Sequence, residues 1–542
     1  MNTMKIFSKY TSMGIPMSNV SRTALWSAAG VFLTAATAVA QNAPPVASAA
    51  QVPVRDVTPV IARATQPLTS ANMVRTLSDG SVFVNDVQRR QLLKFDASLK
   101  NVMVVADTAP GALMPYGQRP IGLLPYIGDS TIVVDASTLS LVVIDRNGKS
   151  VRVMASPRPN DINTLTGANL GSHAFDAKGR LYYRQGGGAG GPGGGGAMGM
   201  MFGGGNDRGG RGDRGGQGGN NNRQPNTQNQ ANRGGDVGGA AAGAPGGQPF
   251  GGPGGRGFNP ASQPDSVPIV RVDFDTRKAD TVAFVKVPKN ESSMTRGEDG
   301  STRLTVKINP LPQADDWALL SDGTVAIMRV LDYHVDYYRP DGSHVASDKL
   351  PFDWKRISDE EKTKLVDSLA TMAKIASERM GQNAGGGGGF RMSFEPIGAE
   401  KLPDYYPPVR QGSSIADQKG NLWVVPTTSN LSAQLAQSFM GGRGGMGGPP
   451  PGVGAPGGTP RTAPGAPRDS TRQAPPAAAM AMMAAMSNQP PLVYDVISPD
   501  GKLLERVKLP AGRQVVGFGP DGLIFLSARE GRQMFLETVK LK

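Results

Sequence analysis

The 542-residue chain has no cysteine, only three histidines and 6% aromatic residues. Without cysteine there are no disulfides, no thiolate metal sites, no cysteine nucleophile and no Cys-linked lipid anchor. The histidines, His173, His334 and His344, stand in no HExxH motif and in no i, i+3 or i, i+4 pair with another ligand type that would suggest zinc. Gly148-Lys149-Ser150 imitates the end of a phosphate-binding loop, but Val143 stands where the loop's first glycine belongs. Gly412-Ser413-Ser414-Ile415-Ala416 approaches a nucleophile elbow, yet it ends in alanine and sits in a strand. Long apolar runs are missing too, with one exception at the N-terminus.

That exception is Thr23–Ala40, preceded by Lys5, Lys9 and Arg22 and closed by Ala38-Val39-Ala40. A basic start, a short apolar stretch and a small-x-small ending describe a secretory signal over residues 1–40. The expected location is therefore periplasmic or secreted, with no stable membrane span after cleavage. The net charge of +13 is unevenly distributed. Residues 1–40, 185–264 and 430–490 each carry +3, leaving +4 for the rest. A body so weakly charged has no field for a polyanion, so no nucleic-acid partner is expected.

Glycine (73) and proline (44) make up more than a fifth of the chain and concentrate in 185–264 and 430–490. Both segments hold too few large apolar residues to offset the entropy of ordering and are expected to be disordered loops. Arg208-Gly209-Gly210 looks like an RNA-binding RGG box and Arg211-Gly212-Asp213 like an adhesion tripeptide. Export, the missing aromatics and three interspersed Asp argue against RNA binding, and in so biased a composition chance accounts for the tripeptide.

Elsewhere the chain is a succession of short β signals separated by tight turns. Six first turns recur: Ser78-Asp79-Gly80, Gly128-Asp129-Ser130, Ala177-Lys178-Gly179, Ser321-Asp322-Gly323, Gln418-Lys419-Gly420 and Pro520-Asp521-Gly522. Five second turns follow: Asp96-Ala97-Ser98, Arg146-Asn147-Gly148, Asp275-Thr276-Arg277, Pro340-Asp341-Gly342 and Pro499-Asp500-Gly501. Four antiparallel strands repeated at about 40 to 50 residues mark a propeller blade. The expected fold is all-β: a six-bladed β-propeller spanning 52–542, with blades near 72–107, 120–156, 171–289, 315–353, 411–510 and 513–542. The last blade lacks a strand, and segment 52–61 is expected to supply it and close the ring. Pro53 and Pro59 suit an edge strand, because proline cannot donate a ladder hydrogen bond.

The unit 82–96 and its relatives resemble the NHL and TolB-like propellers of exported bacterial proteins. In such folds the 2–3 loops and the links between blades share one face, so the inserts 185–264 and 430–490 and the links 290–314 and 354–410 would all emerge there. The 354–410 link holds one helix: Ser358 and Glu361 form a capping box, and Leu365, Leu369, Met372, Ala376 and Met380 make an apolar stripe. Phe390, Phe394, Tyr405 and Tyr406 are expected to anchor this cap.

Residues at the start of each first strand would line the channel mouth on that face. The candidate ligand-binding set is Arg119, His173, Asp315, Asp316, Arg410 and Arg513. Three arginines could hold an anion, with the aspartates pairing them or holding a cation. The expected function is a non-catalytic, monomeric scaffold binding a protein, a peptide or a small anionic ligand. The alternative is a metal-dependent hydrolase or lyase of the gluconolactonase-like kind, which would set a divalent cation in the channel with Glu, Asn and Asp. Asn72, Asp315 and Asp316 are in place for that, but no glutamate is.

Overall fold

A computed structural model describes residues 52–71, 73–166, 173–185, 264–288, 291–297, 301–383, 390–409, 412–429, 491–531 and 533–542. The expected signal segment, both glycine-rich inserts, Asn72 and Arg410 lie outside these residues.

The described chain is mostly β. Six antiparallel meander sheets follow one another in sequence order. Their first strands are Val74–Thr76, Gly122–Pro125, Ala174–Phe175, Asp316–Leu319, Ile415–Ala416 and Arg513–Phe518. Their second strands are Val82–Asp86, Thr131–Asp135, Leu181–Arg184, Val325–Arg329, Leu422–Val424 and Ile524–Glu530. The second strands are buried on both sides, which is why they read as unbroken apolar runs. In the first sheet Val82 and Val84 pack toward the sixth sheet while Phe83 packs toward the second. The period-2 alternation of a strand sends neighbours to opposite faces.

Each sheet packs on the next through its own apolar cluster. Val133 and Ile144 of the second sheet meet Phe83 and Leu92 of the first. Tyr183 and Val270 of the third meet Ile132 and Val134 of the second. Trp317 and Ile327 of the fourth meet Tyr182 and Ile269 of the third. The fifth packs on the fourth through Leu422, Val424 and Ile497, and the sixth on the fifth through Ile524 and Leu526. Phe525, Met534 and Leu536 of the sixth sheet pack on Val82 and Phe95 of the first. At about 25 cal/mol per Å² of apolar surface, these six layers supply the main favourable term of folding.

Two turn glycines show how tightly the sheets seat. Gly148 has φ +80°, and a Cβ there would lie 2.8 Å from Val105 of the first sheet. Gly501 has φ +82°, and a Cβ would lie 2.2 Å from Ser347 beside the fourth. Both positions demand a left-handed backbone and have no room for a side chain.

The segment expected as one strand over 52–61 is divided between two sheets. Val54–Asp56 runs parallel to Leu503–Lys508 on the outer edge of the fifth sheet. The chain then follows Gln533–Val539, with Thr58 N–H donating to Lys540 O and Ile61 N–H to Thr538 O, and Ala62–Arg63 pairs antiparallel with that strand. Asp56 pairs with Lys508 and accepts from Lys542 N–H while Val57 bridges Leu541, so one short segment covers both edges, a feature that β-propensity alone does not reveal.

The helix is Asp359–Asn383. Its capping box is present: Ser358 N–H donates to Glu361 Oε2 at 3.0 Å, and Glu361 N–H donates to Ser358 Oγ at 3.2 Å. The buried stripe is Leu365, Leu369 and Ala373; the side chains of Met372, Ala376 and Met380 lie outside those described. The stripe meets a seventh sheet that the sequence reading missed, formed by Ser292–Arg296, Thr302–Ile308 and Phe390–Pro396. Ala373 packs there with Leu304, Val306 and Phe394, while Leu365 packs with Leu311, Ile357 and Tyr406. Phe394 and Tyr406 are thus anchors, whereas Tyr405 is 46% exposed.

Candidate functional site

In an antiparallel meander the start of the first strand and the end of the second lie at the same edge of the sheet. The 2–3 connections and the links between sheets therefore share that edge. Residues 186–263 connect the second and third strands of the third sheet, and 430–490 do so in the fifth. The links 287–315 and 347–414 belong to the same edge, and they meet there where Thr302–Ile308 pairs in parallel with Phe390–Pro396.

At this edge most buried charge is already matched. Asp315 is 5% exposed; it accepts from Arg329 Nη1 at 2.7 Å and from Lys286 N–H at 3.0 Å. Arg329 also donates through Nε to Asp336 Oδ2 at 2.6 Å. Asp336 in turn lies 3.5 Å from His334 Nε2 and 3.3 Å from His344 Nε2. Strand spacing, i and i+2, puts His334 and Asp336 on one face, a pattern that a search at helical spacing overlooks.

Asp316 is 1% exposed and points the other way. Its carboxylate accepts from three successive amides leading into the fifth sheet: Gly412 at 2.9 Å, Ser413 at 2.9 Å and Ser414 at 2.8 Å. Burial nevertheless pushes this carboxyl above the ordinary aspartate range, the amides opposing that rise. Arg513 donates to Glu537 through Nε at 3.1 Å, and Arg63 donates to the same carboxylate at 3.1 Å. Asp495 takes Arg506 Nε at 3.1 Å and the Tyr333 hydroxyl at 2.5 Å.

The six expected residues are therefore not drawn into one cluster. Asp315 and Asp316 are adjacent but serve different interfaces, toward the third and fifth sheets. Arg513 is committed to Glu537, and Arg119 is exposed in the loop ahead of Gly122–Pro125. His173 is 8% exposed at the start of the third sheet, and Arg410 lies outside the described residues. Among the described residues, no group of three His, Asp or Glu is arranged to hold a metal ion. Sequence reasoning missed Arg184. It ends Leu181–Arg184 immediately before the long insert and is 2% exposed. Its signal was a charged residue terminating an apolar strand, Leu181-Tyr182-Tyr183-Arg184.

The class these features define is a β-propeller with its elaborations on one edge. No protein-family profile matches the chain, and no curated protein matches it either. Solved structures of similar fold include a member of the DUF4221 family from Bacteroides vulgatus, with 8% identity over 90% of this chain and 98% of that one at a TM-score of 0.36. A gluconolactonase from Xanthomonas campestris shares 8% identity over 89% and 92% of the two chains at a TM-score of 0.32. A calcium-binding regucalcin from Agrobacterium tumefaciens shares 9% over 90% and 96% at 0.31. Likenesses this distant carry no argument about activity. Among the described residues, no helix is long and apolar enough to cross a membrane.

Proposed function

We propose that this chain is an exported six-bladed β-propeller, closed by its N-terminal segment, that binds its ligand at the edge carrying the inserts. Two observations support the ring: the sixth sheet packs on the first through Phe525 and Phe95, and Ala62–Arg63 lies beside Gln533–Val539. Deleting residues 52–63 would strip both outer edges and is expected to yield aggregate in light scattering. A monomer with unchanged melting would refute the closure.

The binding reading rests on the convergence of both inserts and both structured links on one edge of a rigid scaffold. The buried carboxylates there are held by arginines or amides, as suits a preformed binding surface. The ligand is a protein, a peptide or a small anion.

A second reading, a propeller hydrolase or lyase, draws on Asp316. A buried carboxyl pushed upward at a loop-rich edge is the kind of group that serves as a general acid. The described residues offer a divalent cation no free donor set, so no metal step is derived for it. Native mass spectrometry with metal analysis separates the two readings. A captured organic or peptide ligand without stoichiometric metal supports the scaffold. One divalent ion per chain, retained through dialysis, would overturn it in favour of the enzyme.

A further inference from the structure

Arg184 differs from three other arginines at this edge. Arg329, Arg506 and Arg513 each donate to a carboxylate that is itself nearly or fully buried. The Arg184 guanidinium makes no hydrogen bond or ion pair among the described residues, and its Nε is buried without an acceptor. Residues alternate along a strand, so Arg184 lies on the same side as Tyr182, which packs against Trp317 of the fourth sheet. Asp316 acts on Arg184 as a compensating charge through space, with no hydrogen bond between them. The Asp316 oxygens accept from the amides of residues 412–414 instead.

We propose that Arg184 is the binding residue for an anionic group, a carboxylate or a phosphate, taken up between the third and fourth sheets at the insert-bearing edge. The inference rests on the reading that ligands reach the protein at that edge, and it adds their charge and the residue that takes them. An unpaired buried cation is costly, and an anion supplying two acceptors to its planar fork removes that cost with charge-assisted hydrogen bonds. Lysine could not present the same fork. Burial lowers this guanidinium to about 10, partly opposed by Asp316, so it remains charged at neutral pH and gains from an anionic partner.

The test uses the full mature chain, with inorganic phosphate and succinate as probes against chloride at equal ionic strength. Melting temperature and titration calorimetry are the readouts. Either probe, near a hundred times its dissociation constant, is expected to raise the wild-type melting temperature by about 3 °C or more. Arg184→Gln is expected to abolish that rise while melting no lower than wild type without anion, since the substitution removes an unmatched charge. If Arg184→Gln fails to fold, Arg184→Lys decides the matter: affinity about tenfold weaker supports the proposal, and unchanged affinity overturns it. No response of the wild type to either probe also overturns it, as does an equal response in Arg184→Gln. A response that ignores both variants removes Arg184 alone and leaves the edge reading standing. Crosslinks of a captured ligand to the opposite edge would remove the edge reading itself.

Discussion

Tyr333 lies just ahead of the third strand of the fourth sheet, and its hydroxyl donates to Asp495 of the fifth sheet at 2.5 Å. Both residues are 0% exposed, so water cannot replace either partner. Burial, reinforced by the Asp495 charge, pushes the Tyr333 hydroxyl well above its ordinary range, so it stays a donor at all working pH. Tyr333→Phe keeps the ring and its 5.2 Å contact with Phe352 while deleting only the donor. A hydrogen bond to a buried charge is worth about 1.5 to 3 kcal/mol, and the carboxylate oxygen left behind has nothing to replace it. The variant is therefore expected to lose about 1.5 to 3 kcal/mol in urea unfolding. Burial already raises Asp495, with Tyr333 and Arg506 opposing it, so losing the hydroxyl raises it further. The deficit should therefore shrink toward low pH, where that carboxyl binds a proton more readily in the folded state. A double-mutant cycle with Asp495→Asn isolates the pair. A loss below about 0.5 kcal/mol, or additivity of the two changes within that error, would refute the claim that this bond joins the two sheets.

Three further expectations follow from the same interfaces. Trp317→Ala empties the layer between the third and fourth sheets, where the indole is 1% exposed, and should cost about 3 to 5 kcal/mol; a calorimetric loss under about 1 kcal/mol contradicts the packing. Gly148→Ala forces an L-residue into φ +80° against Val105 and should cost about 1 to 3 kcal/mol, with a neutral result ruling out the close approach. Asp129 accepts from the Ser78 hydroxyl at 2.6 Å and the Ser78 amide at 2.8 Å, and these bonds, with Arg146 and Arg75, hold its carboxyl below the usual range. The stability it contributes is thus present above about pH 4 and is lost as pH falls through the lower folded value. Asp129→Asn should narrow the difference in unfolding free energy between pH 6 and pH 3, and an unchanged difference would show that the carboxylate does not carry it.

The local grammar of this protein is legible in its residues. Asp-Gly turns, apolar runs such as Val82-Phe83-Val84 and the Ser358–Glu361 box each depend on contacts within a few residues, so spacing alone reveals them. The helix start and the six first turns are of this kind. What spacing could not decide is which partner each charge would find. Asp315 and Asp316 are neighbours in the chain, but strand alternation sends one to Arg329 and the other to the amides leading into the fifth sheet. Arg513 reads as a free cation until Glu537, two strands away, is placed beside it. Arg184 reads as the unremarkable end of a strand until tertiary packing buries it without an acceptor. The strand Phe390–Pro396 pairs with Thr302–Ile308 across more than eighty residues, and no local period announces such a partner. Sequence determined the repeating unit, because its energetics are local. Only the tertiary structure decided the electrostatics, because burial and pairing are properties of segments that meet from distant parts of the chain.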